Sequence, residues 1–207
     1  MRTLFIPAYT RVKVNKERIL EDSKKLPKNI ALVYSIQFKK QAEEIKQILS
    51  EAHNITKFSQ VLGCSKLTSP RQTQAVLLIG EGRFHALGIA LETDLPIYVD
   101  NLNKLEKITE QETKEFKQKN KAAKLKYLNA DKAGILISTK PGQNNLKKAL
   151  KFREQSKKKS YLFISNNINV AEFENFPQIQ AWVNTACRRM DMNDASIINL
   201  DKIQSEF

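Results

Sequence analysis

Two cysteines occur in this chain, Cys64 in FSQVLGCS and Cys187 in AWVNTACRR, and each follows an apolar, strand-like run. Their number and separation do not suit a disulfide framework in a reducing compartment, which leaves free thiols, metal ligands or small buried hydrophobes. With two histidines and two distant cysteines a self-contained zinc site is not expected. No Ser-His-Asp arrangement, His-Glu-x-x-His or Cys-x-x-Cys spacing is present. Two further stretches could hold an anion. GEGRFHALG (Gly80 to Gly88) puts glycines between an apolar run and a helix, where backbone N–H groups could meet a phosphate or carboxylate, although a tight strand-to-helix turn explains the same residues. It is neither a Walker loop nor a full dinucleotide fingerprint. His85 within it could act as a base or simply make a local hydrogen bond. In STKPGQ (Ser138 to Gln143), Lys140 and Gln143 could bind an anionic group, or Pro141 and Gly142 could merely make a turn.

The elements that must position these residues alternate in kind. ALVYS (31–35), AVLLIG (75–80) and PIYVD (96–100) read as apolar strands, and helices are expected over 38–52 and 83–92. A polar helical stretch over 102–128 is followed by the strand GILIST (134–139), a helix over 146–156, the strand YLFIS (161–165), a short helix near 170–175 and the strand AWVNTA (181–186). Continuous apolar strands separated by helices imply parallel sheets covered on both faces. The expected fold class is therefore α/β, as two similar small domains spanning 8–102 and 103–207, each with one cysteine after a strand. In open parallel sheets the ligand crevice lies outside the carboxyl ends of the strands, so both thiols are placed to face one.

A chain of 207 residues, 41% hydrophobic and 28% charged, can bury a core and reads as globular. No apolar run approaches the roughly 20 residues that span a bilayer, and MRTLFIPAYTRVKV is too short in apolar residues for a secretory signal. A cytoplasmic protein with no membrane partner is expected. The net charge of +13, from 35 Lys and Arg against 22 Asp and Glu, would favour nucleic acid or an acidic protein surface without saying which. Part of that charge lies in the mixed Lys104 to Lys126 run, which suits a solvated helix.

Five segments in order, LFIPAYTRVKV, QVLGC, GEGRFHALGIAL, GILISTKPGQ and ENFPQIQAWVNTACRRMDMNDA, resemble the diphthamide-synthesis family of archaeal type, the 3-amino-3-carboxypropyl transferases that modify translation elongation factor two. The resemblance implies an architecture of three small α/β domains, each giving one cysteine to a [4Fe-4S] cluster. Cys64 matches the middle domain's ligand and Cys187 the last domain's. It further implies S-adenosylmethionine bound at the open iron, with Gly80, Gly82, His85, Lys140, Gly142 and Gln143 bordering its pocket. Reduction by the cluster would break the sulfonium bond to the aminocarboxypropyl group, which adds to an imidazole carbon of one histidine on the elongation factor.

The family's first domain has no counterpart in these residues. Residues 1–7 are then expected as an orphan strand that docks on a separately encoded first-domain chain by strand addition, that chain donating the third cysteine. The family also suggests a homo-oligomer. Arg188 stands where the family commonly has proline, and the tail to Phe207 is short. Two other functions remain open: a noncatalytic scaffold for such an enzyme, and a basic nucleic-acid-binding module.

Overall fold

Apart from the Tyr34 hydroxyl, ALVY and AVLLI have no polar side-chain group to turn toward water, and both end at the centre of a sheet. In the computed structural model, which describes residues 4, 6–62, 67–192 and 194–204, they lie in β1 (Asn29–Tyr34) and β3 (Ala75–Ile79), buried throughout except at Asn29. Contacts divide the chain into two units, Met1–Lys114 and Glu115–Phe207.

The first unit has a five-stranded sheet. Its spatial order is β2 (Asn54–Gln60), β1, β3, β4 (Ile97–Asp100) and β5 (Leu105–Lys107). The first four are parallel and β5 is antiparallel to β4. Side chains alternate across the pleat. Ile30, Leu32, Leu77 and Ile79 therefore pack on one face, with Ile19 of α1 (Lys16–Ser23) and Ala42, Ile45 and Leu49 of α2 (Lys39–Leu49). Ala31, Val33, Val76 and Leu78 pack on the other, with Ala86 and Ile89 of α3 (Arg83–Glu92). The chain before α1 is strapped to α2: Thr10 N–H donates to the Gln37 carbonyl, and Gln41 Nε2 donates to the carbonyls of Thr10 and Val12.

The second unit has the order β7 (Lys159–Ser165), β6 (Lys132–Ser138), β8 (Ala181–Asn184) and β9 (Ile197–Asn199), all parallel. Ala123 and Tyr127 of α4 (Glu110–Asn129), Ala149 and Phe152 of α5 (Leu146–Gln155) and Ile203 of α6 (Leu200–Gln204) cover one face. An aromatic cluster covers the other face. Trp182 stacks on Phe173 at 4.0 Å and meets Phe163 edge-on at 4.7 Å. Gly134, its cross-strand partner, makes room for the indole, since a Cβ there would lie 2.4 Å from the ring.

The parallel sheets and flanking helices expected from the sequence are present, with two differences. The polar stretch over 102–128 is not one helix. Asp100 and Asn101 side chains turn the backbone, Leu102 adopts φ 72°, and β5 pairs with β4 before α4 begins. A capping box starts α4: Thr109 Oγ1 accepts from Glu112 N–H, and Thr109 N–H donates to the Glu112 carboxylate. The units divide at Lys114/Glu115, within α4, whereas the restart of the strand-helix pattern placed the junction at 102/103. Of the residues expected to form the orphan strand, Leu4, Ile6 and Pro7 are described and pair with no strand of this chain, and residues 1–3 and 5 lie outside the described residues. Among the described residues no helix is long and apolar enough to cross a membrane.

Candidate functional site

In the second unit the chain leaves β6 through α5 on one face and reaches β8 past the aromatic cluster on the other. That makes the carboxyl ends of the neighbouring strands β6 and β8 a topological switch point, where open α/β sheets hold ligands. Cys187 lies there, a free and partly exposed thiol just past β8. Its backbone is tied down on several sides. Asn184 Nδ2 donates to the Cys187 carbonyl at 2.8 Å, and Met190 N–H donates to the same oxygen at 3.1 Å. Asn184 Oδ1 accepts from Ala186 N–H at 2.9 Å. The Thr185 hydroxyl donates to the Leu136 carbonyl at 2.8 Å. Beyond the thiol, the short helical turn Arg188–Met192 is pinned to α6 by the ion pairs Arg188–Asp201 and Lys202–Asp191. Burial pushes the Asp191 carboxyl above its ordinary range despite the Lys202 ammonium.

Lys140, Gly142 and Gln143 come together on the adjacent turn after β6. Gln143 N–H donates to the Lys140 carbonyl at 3.0 Å, and Gly142 has φ 77° at the third position of that turn, a conformation that favours glycine. The turn chemistry expected of Pro141 and Gly142 is therefore present. Asn145 at the cap of α5 does not cap it with its side chain; Nδ2 donates instead to the Thr185 carbonyl at 2.7 Å, joining this turn to the cysteine loop.

In the first unit, Gly80 and Gly82 lie on the β3–α3 turn and His85 in the first turn of α3. Gly80 sits where β1 and β3 end side by side: its N–H donates to the Asp100 carbonyl, and a Cβ would stand 3.0 Å from Ser35 Oγ. Gly82, at φ 79°, precedes α3 and offers the first-turn N–H groups no side-chain acceptor. His85 is half-buried on that turn, its ring 5.2 Å from that of Phe84. Arg83 reaches Glu106 and Glu112 at 3.4 and 3.1 Å. The Thr109 N–H chiefly holds the Glu112 carboxyl below its ordinary range, against partial burial. Cys64 lies outside the described residues. Just before it Val61 N–H donates to the Tyr34 carbonyl at 2.8 Å, and just after it the Thr68 carbonyl accepts from the Lys57 ammonium.

Sequence reasoning missed Asn145, Asn184, Thr185 and Asn199. An Asn closing an apolar strand three residues before a cysteine is a usable signal for Asn184; Asn199 needs the β8/β9 pairing to be found. Among the described residues no group of three or more His, Cys, Asp or Glu could hold a metal ion. What is present is a thiol on a turn fixed by hydrogen bonds, whose thiolate is the usual ligand class for iron-sulfur clusters. The donor chemistry fits such a group.

Comparison with known proteins gives a consistent result. The family model described as "Putative diphthamide synthesis protein" matches residues 1–197. The 2-(3-amino-3-carboxypropyl)histidine synthase of Pyrococcus horikoshii is 32% identical over 93% of this chain and 60% of its own length. The protein of the same name from Methanocaldococcus jannaschii is 29% identical over 94% of this chain and 57% of its own length. The chain thus spans about 60% of the length of these relatives. Among solved structures, Dph2 from Pyrococcus horikoshii superposes with a TM-score of 0.80 at 27% identity, over 95% of this chain and 63% of that one. Dph2 carrying a 4Fe-4S cluster superposes with a TM-score of 0.78 at 25% identity, with the same coverages. The chain belongs to the diphthamide synthesis protein family.

Proposed function

We propose that this chain takes part in transferring the 3-amino-3-carboxypropyl group of S-adenosylmethionine to a histidine of translation elongation factor two, the opening reaction of diphthamide formation. Cys64 and Cys187 serve as iron ligands of a [4Fe-4S] cluster. When bound, that cluster supplies the single electron that cleaves the sulfonium bond. The chain's own residues bind and orient. Cys187 gives its thiolate from a turn held by Asn184, and Cys64 gives the second. Gly80, Gly82, His85, Lys140, Gly142 and Gln143 border the aminocarboxypropyl end of S-adenosylmethionine, where a carboxylate suits the Lys140 ammonium.

The third cysteine and the remaining domain come from outside residues 1–207. Leu4 and Ile6 support a docking role for Leu4–Pro7, because they are 83% and 80% exposed although the following Thr10–Val12 segment is strapped to α2. The observation that carries the functional reading is the anchored free thiol of Cys187 in a chain whose fold matches a cluster-bearing Dph2.

The test is transfer of label from the aminocarboxypropyl carbon of S-adenosylmethionine to elongation factor two, run anaerobically with a reductant and a candidate first-domain chain. Label on the histidine, lost in Cys64→Ala and in Cys187→Ala, is expected. Undiminished transfer by either variant would contradict the reading.

A further inference from the structure

Asn184 and Asn199 close the neighbouring strands β8 and β9, are direct partners in the ladder and are each 3% exposed. Two carboxamides at such burial need partners, and these find them in each other and in one turn. Asn184 Nδ2 donates to Asn199 Oδ1 at 2.6 Å and to the Cys187 carbonyl at 2.8 Å. Asn199 Nδ2 donates to the Arg188 carbonyl at 2.9 Å. The orientation of each carboxamide is forced by its fixed neighbours. A backbone carbonyl only accepts, so both Nδ2 groups must face the turn; Ala186 N–H only donates, so Asn184 Oδ1 must face it.

Consecutive carbonyls, those of Cys187 and Arg188, are therefore gripped by consecutive members of one side-chain chain. This fixes the peptide plane that follows Cys187 and hence the backbone from which its Cβ and thiol project. Met190 N–H adds a second donor to the Cys187 carbonyl.

We propose that Asn184, locked in place by Asn199, is the positioning residue that presents the Cys187 thiolate to iron. The inference rests on the reading of Cys187 as an iron ligand. A ligand held in its bonding geometry before the metal arrives loses less freedom on binding, and removing the groups that orient a ligand typically weakens metal binding about 10- to 100-fold.

The experiment uses the full chain, free of iron, and follows alkylation of both thiols by iodoacetamide with peptide mass spectrometry. Trp182 fluorescence monitors folding in the same samples. In Asn184→Ala the Cys187 rate is expected to rise about fivefold, the factor equivalent to losing one net hydrogen bond, while the Cys64 rate is unchanged. Asn199→Ser, which spares the direct bond to Cys187, is expected to show a smaller rise and serves if Asn184→Ala fails to fold. Competition with an iron chelator after anaerobic reconstitution with iron and sulfide, with the candidate first-domain chain present, is expected to show at least about a tenfold loss of iron affinity in Asn184→Ala. Unchanged alkylation and iron affinity in folded Asn variants, with iron still lost in Cys187→Ala, would overturn the clamp and leave the ligand reading standing. Iron retained by Cys187→Ala would overturn the ligand reading, and the clamp's role with it.

Discussion

In the first unit the fourth parallel strand, β4, ends on Asp100, 2% exposed, whose carboxylate accepts from Leu102 N–H at 2.7 Å and from the Arg18 guanidinium at 3.0 Å. In the second unit the fourth strand, β9, ends on Asn199, equally buried, and its carboxamide meets Asn184 and the Arg188 carbonyl. Both sheets run their parallel strands in the same order: second, first, third, fourth. The same strand end thus does two different jobs. The charged residue anchors α1 and a turn, which are parts of the scaffold. The neutral pair spends its donors on the turn that bears a reactive thiol. Burying a charge is tolerable only with a fixed counter-charge, whereas a carboxamide can grip backbone carbonyls without one.

The faces of the sheets differ as well. Helices cover both faces in the first unit, while aromatic rings cover one face in the second. The largest predicted effect exploits this. Gly134→Val would drive a side chain into Trp182 and is expected to destabilise the second unit by about 3 kcal/mol or more. Trp182 is the chain's only tryptophan, so its emission in a urea titration reads this unit, while the far-ultraviolet dichroism of the first unit should persist past the fluorescence midpoint. Coincident loss of both signals would show the two units unfolding as one.

Next come the two strand ends. Arg18→Leu strands the Asp100 carboxylate and should cost about 3 kcal/mol, because removing one partner of a buried pair leaves a charge uncompensated. Asn199→Ala leaves neutral groups short of a partner and should cost less, about 2 kcal/mol. Urea midpoints for the two variants check the order; a larger loss in Asn199→Ala would reverse the contrast drawn between charged and neutral anchors.

Acid should act oppositely at two carboxyls, Asp22 in the first unit and Asp191 in the second. Burial works to raise the Asp22 carboxyl, but Lys25 and Arg18 overcome it and hold it below its ordinary value of 3.8. Its stabilisation is present above 3.8 and is lost as pH falls through the lower folded value. Burial dominates at Asp191 and raises it. The unfolded state then releases its proton first, so this group's contribution falls as pH climbs from 3.8 through the raised folded value. Wild type minus Asp191→Asn, compared by Trp182 unfolding at several acid pH values, should decline as pH rises over that window, and a difference growing with pH would reverse the assigned sign. The smallest expected effect is Thr109→Ala, about 1 kcal/mol from the lost cap of α4, read as a lower thermal midpoint by circular dichroism.

The sequence made the central strands legible because a strand buried on both faces carries a near-continuous apolar run, as in β1, β3 and β6. The edge strand β2, NITKFSQ, is only half-buried, so its polar residues hide it. LEK and IIN are too short to give a periodic signal and become β5 and β9 through pairing with residues already in place. The TEQE capping box was readable at Thr109–Glu112, yet the lysine-rich run around it suggested an earlier helix start. At the site, Gly82 and Gly142 were visible because positive φ leaves a glycine signature, and Cys187 because thiols are few. Asn184 and Asn199 were not, since their meaning arises only when β8 and β9 lie side by side.

The proposal that Cys64 and Cys187 are iron-sulfur ligands is tested most directly by iron and sulfide analysis with electron paramagnetic resonance. It would be made on the full chain after anaerobic reconstitution with a candidate first-domain chain, and on Cys64→Ser and Cys187→Ser beside it. The account predicts a [4Fe-4S] signal in the parent assembly that is lost in both variants. A parent-like signal surviving in either variant would contradict it.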